Sequence, residues 1–164
     1  MIKYCVRKWN KNKDKLEAAI RKDVELNGCN YSYLVELIVK YILNDEENGY
    51  MDTWNHKRIT VIDDGDYQGT EIFLIPSGSY QPGPDNYLMT YVYYGSCSGC
   101  DTLMSIQDYY EDDKVPTESQ VKDYMTLCLH LIQNMIKPYK GIWSDEDEEY
   151  EEFREKEENK ELEF

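Results

Sequence analysis

RITVIDDGDYQGTEIFLIP, residues 58–76, is the stretch that decides the fold. Ile59, Val61 and Ile62 are β-branched, Asp64-Gly65 lies within a turn signal, and Thr70 to Pro76 returns as a second β-rich run. Two such runs around an Asp/Gly turn predict a β-hairpin. Downstream, Pro76 to Asp85 carries Pro82, Gly83 and Pro84 and reads as an irregular loop. Tyr87 to Tyr94 is aromatic enough for a third strand, so the expected sheet is small, antiparallel and three-stranded.

Helical signals flank this sheet. Upstream, Asn12 to Asn27 places Leu16, Ala19, Ile20 and Val24 at helical spacing, with Gly28 as a stop. A second helix starts at the N-cap Asn30, carries Leu34, Leu37, Ile38, Tyr41 and Ile42 on one face, and breaks at the polar 44–49. Beyond the sheet, Gly95 to Cys100 reads as a turn and Asp101 as the cap of a short helix through Leu103, Met104 and Ile106. The last helix, expected over roughly residues 117–137, is opened by Pro116, Thr117 and Glu118 and closed by Pro138. Its expected buried stripe is Val121, Met125, Cys128, Ile132 and Met135. The prediction is a single α+β domain over residues 1–143, followed by an acidic tail, 144–164, that is disordered or partly helical.

The chain has 164 residues, 41% apolar, with 16 tyrosines, which suffices for one core without metal or disulfide staples. No apolar run is long enough for a bilayer and no secretion-type segment follows the charged N-terminus. Five cysteines, an odd number and mostly isolated, fit a reducing cytoplasm better than a disulfide scaffold. The net charge of -15 is uneven: +2 over residues 1–58, -8 over 59–143 and -9 over 144–164. Such a surface repels nucleic-acid phosphate and anionic lipid, and steers the molecule toward basic proteins.

The most specific local feature is Gly95-Ser-Cys-Ser-Gly-Cys-Asp101. Cys97 and Cys100 at this spacing can supply two ligands to zinc, form a reactive disulfide, or sit as small thiols in a tight turn. The remaining zinc ligands would have to come from Cys5, Cys29, His56, Cys128 or His130, and Cys128 and His130 point to different helical faces. A thioredoxin-type reading lacks its βαβ context. Asp63, Asp64 and Asp66 invite a divalent cation but lack the order of a calcium loop, and turn chemistry alone explains them. His56 and His130 have no nucleophile partner in a known pattern, and neither a Walker A loop nor GxGxxG occurs. No cofactor and no catalytic residue are therefore expected, with zinc at Cys97 and Cys100 as the alternative.

The acidic half suggests a partner surface. Asp108, Glu111, Asp112 and Asp113, with Asp145, Glu146, Asp147, Glu148, Glu149, Tyr150 and Phe153 in the tail, combine carboxylates with aromatics and could imitate nucleic-acid charge in a basic groove. The segments ITVIDDGDYQGTEIFLIP, YLMTYVYYGSCSGCDTL and PTESQVKDYMTLCLHLIQNMIKPY resemble a family of small uncharacterised proteins encoded by phages and prophages of low-GC bacteria. That resemblance covers roughly residues 1–143 and implies a setting rather than an activity, since small accessory phage proteins often bind host factors, including defence nucleases, polymerases and repair enzymes. The expected function is non-enzymatic binding and modulation of a basic host protein in the bacterial cytoplasm. A small zinc or thiol-redox protein centred on Cys97 and Cys100 is the alternative.

Overall fold

The computed structural model describes residues 1–44, 53–108 and 113–139. The protein is an α+β fold. Helix α1, Ile2–Ile20, is followed by a 3-10 turn at Leu26–Gly28 and by α2, Tyr31–Ile38, which runs into a π turn at Val39–Leu43. Strands β1 (Thr60–Asp63), β2 (Gly69–Pro76) and β3 (Tyr87–Tyr94) form an antiparallel sheet in that order. The short α3, Thr102–Ile106, and the long α4, Glu118–Gln133, complete it.

The hairpin and third strand stand where the sequence places them, and the register explains which face is core. Phe73 pairs with Thr90 and Ile75 with Leu88, and all four side chains are buried. Alternation then sends Ile72, Leu74, Met89, Tyr91 and Tyr93 to the opposite, more open face. Strand β1 lies at the edge of the sheet, and all four of its residues are exposed.

Helix α4 is the hub, packing against α1, α2, α3 and β3. Its start follows from a capping box. The Thr117 hydroxyl accepts from the Gln120 amide (3.2 Å), and the Gln120 carboxamide oxygen accepts from the Thr117 amide (2.9 Å). Its buried residues are Val121, Tyr124, Leu127, Cys128, Leu131 and Ile132, so Tyr124 takes the place in the core expected of Met125, which is only half-buried. The helix stops earlier than expected because Met89 and Ile136 exchange two backbone hydrogen bonds of 2.9 Å, drawing the chain beside β3. Thr90 reinforces that junction, its buried hydroxyl donating to the Leu131 carbonyl at 2.6 Å.

The first helix departs most from expectation. It spans Ile2–Ile20 rather than 12–27, and Val24 lies outside it, exposed. Its buried face is Cys5, Lys8, Asn12, Leu16 and Ile20, a helical spacing interrupted by two polar residues. Lys8 lays its alkyl stem along the core, and Asn12 donates from Nδ2 to the Ile42 carbonyl at 2.9 Å, tying α1 to the π turn. Helix α2 begins as predicted, with the Asn30 side chain accepting from the Tyr33 amide.

Candidate functional site

Between β3 and α3 the chain turns through residues 95–101. The Cys100 amide donates to the Cys97 carbonyl at 2.9 Å, which closes a β-turn with the two thiols at its ends. Both cysteines are exposed. The Cys97 amide points at Cys100 Sγ, 3.0 Å away, and that sulfur as a thiol can donate to the Cys97 carbonyl at 3.2 Å. The Cys97 side chain, then the Cys97 amide and the Ser96 amide and hydroxyl, push the Cys100 thiol below its ordinary pKa against the opposing effect of burial.

The turn is held from below by Asp101. Its Oδ1 accepts from the Met104 amide (2.9 Å) and from the Tyr31 hydroxyl (3.1 Å), while Oδ2 accepts from the Gly95 amide (3.0 Å). Tyr31 in turn accepts from the Leu103 amide at 3.1 Å. One buried carboxylate thus caps α3, closes the turn onto β3 and anchors both to α2. Gly95 is required by close approach: a Cβ there would lie 2.6 Å from the Cys100 carbonyl oxygen and 2.7 Å from Cys100 Sγ.

An acidic corner adjoins this turn. Asp63 and Glu71 are cross-strand partners, and Glu71 is in phase with the buried Phe73 and Ile75. Burial, then repulsion from Asp63 and Asp101, raises the Glu71 carboxyl above its ordinary value. Asp63 accepts from the Tyr94 hydroxyl (2.7 Å) and the Gly65 amide (2.9 Å), which lower its pKa in that order. Asp64 accepts from the Thr70 amide at 2.6 Å. Turn chemistry therefore occupies Asp63 and Asp64, as the sequence suggests. Among the described residues no lysine, arginine or histidine lies within ion-pair distance of Asp63, Asp64, Asp66 or Glu71.

Of the residues singled out by sequence, Cys97 and Cys100 come together, and Asp108 and Asp113 are exposed on either side of 109–112. Glu111, Asp112, Asp145, Glu146, Asp147, Glu148, Glu149, Tyr150 and Phe153 lie outside the described residues. His130 is exposed, whereas His56 is half-buried with its pKa lowered chiefly by burial. Cys5, Cys29 and Cys128 are withdrawn from solvent, and burial pushes their thiols up to about 11, about 12 and about 12. Among the described residues no group of three or more histidines, cysteines or carboxylates is arranged to hold a metal ion. No helix among them is long and apolar enough to cross a membrane.

Sequence reasoning passed over Glu71 and the clamp made by Asp101. Glu71 had a readable signal, since it stands two and four residues before Phe73 and Ile75 and alternation puts all three on one face. The clamp had none beyond the cap, because Tyr31 is 70 residues away in the chain. No protein family, curated protein or solved structure matches the chain.

Proposed function

We propose that this chain is a non-enzymatic accessory protein that binds a basic partner protein through its acidic surface and thereby inhibits or modulates it. The observation that carries this reading is the uncompensated corner at Asp63, Asp64, Asp66 and Glu71. A half-buried carboxylate facing another carboxylate across a strand pair costs stability in the isolated protein. A cation brought by a partner relieves that repulsion, so binding recovers energy that folding alone leaves unused. The charge of -9 over residues 144–164 adds a long-range field that speeds encounter with a basic surface. The resemblance to phage-encoded accessory proteins makes a bacterial host protein, such as a nucleic-acid-binding enzyme, the natural partner. A groove that accepts phosphate accepts carboxylates at similar spacing.

The test is affinity capture from the host with the full chain, followed by calorimetry on the purified partner across a salt series. The expected affinity falls steeply with salt and weakens when Asp64 and Asp66 are changed to asparagine or residues 144–164 are removed. An affinity that is flat in salt and indifferent to both changes rules the proposal out.

A further inference from the structure

We propose that Cys97 and Cys100 form a thiol–disulfide exchange site in which Cys100 is the attacking sulfur and Cys97 the resolving one, with small neutral or cationic disulfides as its substrates. The inference is independent of the partner proposed above. It stands first on geometry. The β-turn hydrogen bond between the Cys100 amide and the Cys97 carbonyl holds the two α-carbons within about 7 Å, and disulfides need about 4.4–6.8 Å. The sulfurs can therefore join with little movement of the backbone. Second, the chain is fitted around one sulfur and not the other: the Cys97 amide is aimed at Cys100 Sγ, and Gly95 leaves room for that sulfur where any side chain would strike it. Third, Cys97 and Cys100 are exposed, while Cys5 and Cys128 are buried and Cys29 is half-buried. The lowered pKa of Cys100 agrees with these contacts, because the same donors hold the thiolate.

The exchange balances in two steps. The Cys100 thiolate, its proton already lost to solvent, attacks one sulfur of R–S–S–R, forming Cys100–S–S–R and releasing R–S⁻. Cys97 then gives up its proton to that thiolate or to solvent, and its sulfur attacks Cys100 Sγ, forming the Cys97–Cys100 disulfide and releasing the second R–S⁻. The two protein thiols are oxidised by two electrons and the small disulfide is reduced to two thiols. The carboxylate of Asp101 beside Cys100 and the net charge of -15 repel anionic disulfides and favour a cationic one such as cystamine.

The experiment follows the folded full chain by mass spectrometry during reaction with cystamine at pH 7, alongside an anionic dithiodicarboxylate. The native protein is expected to lose two hydrogens and to yield a Cys97–Cys100 cross-linked peptide. Cys97→Ser is expected to stop at one stable cystamine adduct on Cys100. Cys100→Ser is expected to react more slowly than Cys97→Ser, since the lowered pKa of Cys100 yields more thiolate at pH 7 than is lost through reduced nucleophilicity. Gly95→Ala is expected to slow the first step, with circular dichroism confirming that the fold is kept. Both cysteines are exposed, so serine at either position should fold. Equal rates for the two serine variants, or an oxidised protein without the 97–100 cross-link, would overturn the assignment. Faster reaction with the anionic disulfide would overturn the substrate preference.

Discussion

Replacing Asp101 with alanine should be among the most damaging single changes to this protein, although the residue sits next to a surface turn. The carboxylate is 6% exposed and takes three donors. Losing the cap of α3 costs about 1 kcal/mol. The Tyr31 hydroxyl, itself buried, then has no acceptor, which adds about 1–3 kcal/mol. The Gly95 amide is half-exposed and recovers water, so it adds little. The expected total is about 2–4 kcal/mol. Asparagine tests the accounting: its oxygen can keep Met104 and Tyr31, but its amide must then face the Gly95 N–H, donor against donor. Asp101→Asn should therefore cost about 1–2 kcal/mol. Tyr31→Phe should cost about 1–2 kcal/mol by orphaning the Leu103 amide, and in the Asp101→Ala background it should cost measurably less, because the two share one bond. Urea unfolding followed by far-UV circular dichroism gives each value at constant slope. If Asp101→Ala lies within about 0.5 kcal/mol of the native protein, or if the double variant is strictly additive, the clamp is not coupled as described.

Other outcomes follow from the same contacts. Glu71→Gln should stabilise the protein at pH 7 by a few tenths of a kcal/mol, read as a higher urea midpoint. Because the folded pKa of Glu71 is raised, the charged form is what destabilises; the gain should vanish as pH falls below the ordinary 4.5, where both states are protonated, and its persistence at lower pH would count against the electrostatic cause. Thr117→Ala should cost about 1 kcal/mol through loss of the capping box. Gln120→Ala should cost more, about 2 kcal/mol, since its amide also donates to the Ile106 carbonyl and the Asn27 side chain; equal unfolding midpoints for the two would contradict this ranking. Thr90→Val keeps shape but leaves the Leu131 carbonyl without its donor, an expected loss of about 1–2 kcal/mol, with faster amide exchange at Ile136 as the local signature.

The parts of the fold that were legible are those in which one residue type does one job. Asn30, Asp101 and Thr117 are caps by chemistry and cap in fact. The strands were readable because β-branched and aromatic residues cluster between Gly/Asp turns. Helix α1 was misread because its buried face passes through Lys8 and Asn12, so apolar periodicity begins only at Leu16. The last helix was read too long because its apolar stripe continues through Met135, while the backbone exchange of Ile136 with Met89 depends on a partner 47 residues away that periodicity does not register. At the candidate site the cysteine spacing was plain. Which sulfur the turn is fitted around was not, since that depends on where the Cys97 side chain and the amides of Cys97 and Ser96 point.

Among the described residues strand β1 has a neighbour on one side only, and it exposes Val61 and Ile62. Its other edge is a short row of backbone donors and acceptors with no strand partner among the described residues, which any extended chain could extend into a larger sheet. The carboxylates of Asp63, Asp64 and Asp66 at its end guard against a second copy doing so, because two such edges brought together would stack like charges. Resistance to such pairing is then set by pH and salt as much as by shape. Acidified or concentrated in high salt, the same molecule should thicken into β-rich aggregates seeded at this strand, and a lysine at Ile62 should delay them.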